Sequence, residues 1–137
     1  MRMSLKPINI FAMKFETTIL YVDDEPINLM LFSQLFGRKY NVITGESGYA
    51  GLHLIETNPS IDVVISDMKM PGMNGLEFIQ KAKELNSKIH YYILTGYDIT
   101  PEIDVALKNG LIDRYFQKPF NFEKIESAIT KKLNPSI

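Results

Sequence analysis

Residues 63–75 read VVISDMKMPGMNG. The run opens on residues apolar at both alternate positions, the pattern of a strand buried on both faces of a sheet. It stops on the carboxylate Asp67 and turns through Pro71, Gly72 and Gly75. Aspartate is a good turn former, so alone Asp67 is either a strand terminator or a group carried through a core to the sheet edge. The flanking sequence decides between these.

From Thr17 onward, short apolar runs alternate with segments of helical period. Ile19–Val22 is a second continuous apolar run. DEPINLMLFSQLFG follows, with Ile27, Leu31 and Leu35 four apart on one helical face, Pro26 in the first turn and Gly37 at the far end. Tyr40–Thr44 reads as a strand, and Ser47 caps a helix to about Glu56 with Ala50 and Leu54 inward. After Val63–Ser66, Asn74 and Glu77 form a capping-box pattern that opens a helix through Leu85. Tyr91–Leu94 is the fourth strand. Thr100, Pro101, Glu102 and Gly110 punctuate the next helix. Arg114–Gln117 is a short fifth strand. Asn121 caps a last helix striped by Phe122, Ile125, Ile129 and Leu133. Five βα units predict an α/β fold, a doubly wound (βα)5 flavodoxin-like sandwich. The first, third and fourth strands are the most apolar, giving a parallel sheet order 2-1-3-4-5 with its switch point between strands 1 and 3.

The 137 residues fit one domain with a single sizeable core, and the formal net charge of −1 provides no field for nucleic acid or an acidic membrane. The absence of cysteine excludes disulfides and thiolate metal sites and agrees with a cytoplasmic setting. His53 and His90 have no ligand spacing. No apolar stretch reaches the ~20 residues of a membrane span, and the first residues lack the apolar core of a signal peptide. Residues 1–14 read as an N-terminal extension, 15–134 as the domain and 135–137 as a tail.

In this sheet order ligands sit beyond the carboxyl ends of the strands. Strand 1 ends on Asp23-Asp24-Glu25, strand 3 on Asp67, strand 4 on Thr95 and strand 5 on Lys118-Pro119. Carboxylates about 5 Å apart repel by roughly 3 kcal/mol per pair at an effective dielectric of 20, so a fold that gathers them expects a cation. An all-oxygen set with open positions suits Mg²⁺. Metal, lysine and hydroxyl are what phosphoryl transfer needs, with a carboxylate as nucleophile. Asp67 stands alone at its strand tip and is the best candidate for that role, leaving Asp23 and Asp24 for the metal.

The signatures ILYVDDEP, VVISDMKMPGMNGLEFI, ILTG and YFQKPF closely resemble the receiver domains of two-component response regulators, over about Thr17–Leu133. The resemblance implies that Asp67 accepts a phosphoryl group from a sensor histidine kinase or histidine phosphotransfer protein. It implies that Asp24, Asp67 and the Lys69 carbonyl hold Mg²⁺, with Asp23 helping through water. Lys118 would pair with the phosphoryl group, Thr95 would close onto it, and Tyr115 stands at the switch aromatic. The Lys118–Pro119 bond would be cis. Such a domain is a signalling module, not an enzyme with an external substrate: it catalyses its own phosphorylation and dephosphorylation. Its output is expected through helix 4, strand 5 and helix 5, to a downstream protein or a second copy of the chain, with no direct binding to DNA or membrane. Lys69 and Tyr97, beside the site, are expected to tune the phosphoryl lifetime.

Three rivals share parts of this pattern. A phosphatase of the haloacid dehalogenase type would put its nucleophile at the end of strand 1, where Asp23 and Glu25 match weakly, and leaves Asp67 unexplained. A flavodoxin-like FMN carrier would need a hydroxyl- and glycine-rich first loop where this one is acidic. A receiver-like scaffold that is never phosphorylated is the stronger alternative, yet every reactive group is present.

Overall fold

The computed structural model describes residues 17–96 and 98–134. The expectations placed on residues 1–14, Tyr97 and the tail 135–137 lie outside the described residues. Five strands, β1 (Thr18–Val22), β2 (Asn41–Gly45), β3 (Val63–Asp67), β4 (His90–Thr95) and β5 (Arg114–Gln117), alternate with five helices. These are α1 (Pro26–Phe36), α2 (Gly48–Thr57), α3 (Gly75–Leu85), α4 (Pro101–Lys108) and α5 (Phe122–Leu133). All strand pairs are parallel and the order is β2-β1-β3-β4-β5, as the apolar ranking of the strands predicted.

β1 and β3 are buried along their whole length, which explains their unbroken apolar runs. Period-two alternation splits their side chains between two layers. Ile19, Tyr21, Val63 and Ile65 face Phe32 and Phe36 of α1 and Ile125 and Ile129 of α5. Leu20, Val22 and Val64 face Ile55 of α2, Phe78 and Ile79 of α3, and Ile103 of α4.

The helix starts match their sequence signals. Ser47 accepts from the Ala50 N–H (3.0 Å), and Asn121 from that of Lys124 (3.0 Å). Asn74 and Glu77 close a reciprocal capping box, each bond 2.9 Å. α1 differs. Its N-cap is Glu25, with no side-chain cap, so Asp24 is not consumed in capping.

α1 also corrects the sequence reading of its apolar face. Ile27, Leu31 and Leu35, joined by Met30, are 43–54% exposed, while Phe32 and Phe36 are fully buried. The helix is apolar on more than one side, and burial goes to the aromatic pair. Phe32 stacks on Tyr21 of β1 (centroids 4.2 Å apart, planes 6° from parallel) and on Phe36 (4.0 Å). Stacked rings of this kind contribute beyond their buried area. The aliphatic stripe is left on the surface.

Candidate functional site

Parallel pairing builds the site. Val22 of β1 pairs with Ser66 of β3, which brings the next residue of each strand, Asp23 and Asp67, side by side at the carboxyl edge. Asp23, Asp24 and Asp67 each offer a carboxylate oxygen, all within 4.8 Å of one another. Asp23 and Asp67 are buried, and Asp24 is more open. Lys118, one residue past β5, places Nζ 2.9 Å from Asp67 Oδ1 and 4.0 Å from Asp23 Oδ2. The Lys118–Pro119 peptide is cis, and the Lys118 N–H donates to the Thr95 carbonyl at 2.7 Å. Thr95 is buried at the end of β4.

The cleft, about 420 Å³, is lined by Asp24, Glu25, Asp67, Met68, Lys69, Thr95, Gly96 and Lys118. The sequence-predicted groups Asp24, Asp67, Lys69, Thr95 and Lys118 therefore meet at one opening, while Asp23 is fully buried beside Asp24 and Asp67 and does not line it. Tyr115 does not line it. Tyr115 pairs with Ile93 across β4–β5 and packs, half-buried, in the layer beneath α4, two positions along the same face from Thr95. It borders a groove with Leu107, Lys118 and Lys124.

The β3–α3 turn holds Asp67 by its backbone. Gly75 donates to the Met68 carbonyl at 2.8 Å, and a Cβ on Gly75 would collide with the Asp67 carbonyl oxygen. Gly72 takes φ +81°, where an L side chain is strained. The glycines of the opening stretch are thus required by the turn that follows the aspartate.

Asp23, Asp24 and Asp67 crowd their carboxylates together, with the Lys118 ammonium paired to Asp67. Burial pushes the Asp67 carboxyl above its ordinary range; the Lys118 hydrogen bond opposes this, and Asp23 and Asp24 add to it. For Lys118 burial pulls downward, but the hydrogen bond to Asp67 and the charges of Asp67, Asp23 and Glu25 outweigh it, holding the ammonium charged. A hard divalent cation would relieve the same crowding, and an all-carboxylate donor set of this spacing fits Mg²⁺.

Two residues around Asp23 escaped the sequence reading. Tyr21 donates its hydroxyl to Asp23 Oδ2 at 2.7 Å, and Asn28 Nδ2 donates to the same oxygen at 3.1 Å. The Glu25 N–H takes Oδ1 at 3.0 Å. Burial, then the bond to Asp23, drives the Tyr21 phenol far above its usual range, so it remains a donor. The signal for Tyr21 was available: positions 21 and 23 of one strand share a face.

Comparison with known proteins agrees with this geometry. Residues 19–130 match the model of the response regulator receiver domain. The chain is 31% identical over 116 residues to sporulation initiation phosphotransferase F of Bacillus subtilis, covering 84% of this chain and 92% of that protein. It is 32% identical over 117 residues to a cyclic di-GMP phosphodiesterase of Thermotoga maritima, covering 85% of this chain but 31% of that protein. Among solved structures, a response regulator receiver domain protein from Clostridium thermocellum superposes with a TM-score of 0.81 at 32% identity, covering 88% of this chain and 96% of that one. The chain belongs to the response regulator receiver domain family, the aspartate-phosphorylated signalling domains of two-component systems. Among the described residues no helix is long and apolar enough to cross a membrane.

Proposed function

We propose that Asp67 is the phosphoacceptor of this receiver and that its partner in transfer is a phosphohistidine, on a sensor histidine kinase or a histidine phosphotransfer protein. The observation that carries the reading is the 2.9 Å pair between Lys118 Nζ and Asp67 Oδ1 within a cluster of three convergent carboxylates. An Asp67 carboxylate oxygen forms a bond to phosphorus while the phosphorus–nitrogen bond of the donor breaks, and the departing imidazole takes up a proton. Lys118, already on Asp67, meets the negative charge of the arriving phosphoryl oxygens. Asp23, Asp24, Asp67 and the Lys69 carbonyl would hold Mg²⁺, which when bound neutralises phosphoryl charge. The domain would also hydrolyse its own acyl phosphate, at a rate set in part by Lys69 and Tyr97.

Readout follows from Thr95. Its hydroxyl turns onto a phosphoryl oxygen, and Tyr115, on the same face of the sheet, moves into the space released. That shifts a two-state equilibrium of the surface formed by α4, β5 and α5, where a downstream protein or a second copy of the chain would bind. The exposed stripe Ile27, Met30, Leu31 and Leu35 begins two residues past Glu25 of the cleft wall. An apolar surface so close to the acceptor suits the seat of the donor protein. A receiver spanning residues 15–134, with 1–14 as an extension and 135–137 as a tail, working in the cytoplasm, completes the reading.

Incubation with acetyl phosphate and Mg²⁺ tests it. Intact mass should rise by one phosphoryl group, and chelation of the metal or Asp67→Asn should abolish the gain. Persistent modification of Asp67→Asn would refute the assignment and leave the unphosphorylated scaffold as the better account.

A further inference from the structure

Asp23 is fully buried and its nearest ammonium stands 4.0 Å away, so neutral donors hold it. The shortest of these bonds comes from Tyr21, from inside the core rather than from the cleft. The ring that carries the hydroxyl cannot swing aside. Phe32 lies flat against it, Phe36 backs Phe32, and Phe120 meets Phe32 edge-on at 5.7 Å. Phe120 is two residues beyond Lys118, so one aromatic stack braces both the floor of the acid cluster and the loop that carries its lysine.

Resting on the reading that Asp23 contributes to the metal site, we propose that Tyr21 is a positioning residue of that site. Its hydroxyl, held by the aromatic stack, pins Asp23 Oδ2 and keeps Asp23 from capturing Lys118. Asp23 is thereby left to serve the cation and Lys118 to serve Asp67. Without the hydroxyl, Oδ2 keeps only the Asn28 amide, and Lys118 is the nearest group able to replace the lost donor. Lys118 would then pair with Asp23, remove negative charge from the metal site and loosen from Asp67.

Partners that orient a ligand from outside the coordination shell are typically worth about 10–100-fold in metal affinity. One of the two donors to Oδ2 survives here, so the lower end applies. A packing role alone predicts otherwise, because Tyr21→Phe keeps the ring and its stack. Tyr91→Phe is the matched control: it also deletes a buried-ring hydroxyl, but one in the other core layer that is bonded to the Asn86 carbonyl at 2.8 Å rather than to the acid cluster.

The experiment titrates Mg²⁺ into the full chain, wild type and both variants, and reads dissociation constants from amide shifts without any phosphorylation. In the wild type it also follows the ring carbon that bears each tyrosine hydroxyl. Tyr21→Phe should weaken Mg²⁺ about tenfold, Tyr91→Phe should leave it unchanged, and the Tyr21 carbon should shift with the same midpoint as the amides. Equal affinity in Tyr21→Phe overturns the inference. If that variant does not fold, a Tyr21 carbon that ignores the metal overturns it instead. A wild type that binds no Mg²⁺ would overturn the metal reading itself, so the two failures are distinguishable.

Discussion

Removing the charge of Asp67 should stabilise the metal-free protein. Asp67 lies within 4.8 Å of two other carboxylates. At an effective dielectric of 20 each repulsion is worth about 3.5 kcal/mol, about 7 together, against an attraction of about 6 kcal/mol from Lys118 at 2.9 Å. The amide oxygen of Asp67→Asn would still accept from Lys118, and burying a neutral amide costs less than burying a carboxylate. After solvent screening, Asp67→Asn should gain roughly 1–2 kcal/mol at neutral pH, which corresponds to a melting midpoint higher by roughly 3–8 °C for a domain of this size. The sign with pH follows from the raised carboxyl. The native state holds that proton more tightly than the unfolded chain, so the wild type carries no penalty below the ordinary aspartate range. The penalty grows as pH rises from that range through the raised native value, and it is complete above. The assay is chemical or thermal denaturation of both proteins with a chelator, at pH 7 and near pH 3. The gain should be present at pH 7 and absent near pH 3, and saturating Mg²⁺ should reverse the order at pH 7 by binding the wild type more tightly. Destabilisation of metal-free Asp67→Asn at pH 7 would refute the electrostatic account of the cluster.

Gly75→Ala should cost about 2–4 kcal/mol, because its Cβ meets the Asp67 carbonyl oxygen and the Ile93 side chain; a midpoint within a degree of wild type would count against the close packing of that turn. With the phosphoryl mimic beryllofluoride, amide shifts should reach Tyr115 and α4, and Thr95→Ala should confine them to the metal loops. Lys69→Asn should speed decay of the acyl phosphate at least a few-fold by offering a side chain that orients water, and Tyr97→Ala should also speed it; unchanged first-order decay in both would dismiss the lifetime argument. Leu31→Asp should leave the rate with acetyl phosphate unchanged while cutting transfer from a histidine kinase active on the wild type by tenfold or more; equal transfer would place the donor elsewhere.

Much of this architecture was legible in the sequence because parallel sheets write plainly. β1 and β3 are covered on both sides, so their apolar runs could not be surface, and the capping signals at Asn74, Thr100 and Asn121 fixed where helices begin. Convergence of Asp23, Asp24 and Asp67 followed from β1 and β3 being neighbours. The inward face of α1 was not legible. Ile27, Leu31 and Leu35 repeat at helical spacing as well as Phe32 and Phe36 do, and periodicity cannot rank two apolar stripes; stacking against Tyr21 does. The partners of Asp23 were hidden for a related reason. A tyrosine in an apolar strand reads as core, and its ring is core, while its hydroxyl emerges at the one buried carboxylate of β1's end.

The central claim is that Asp67 carries the phosphoryl group, and the most direct test is chemical trapping. An acyl phosphate is reduced by borohydride to the corresponding alcohol, so a phosphorylated Asp67 becomes homoserine. Peptide mapping after treatment with acetyl phosphate and Mg²⁺, then borohydride, should find homoserine at position 67 and at none of the neighbouring acids. Homoserine at position 23 or 24 in place of 67, or at no position in a protein that gained phosphoryl mass, would contradict the account.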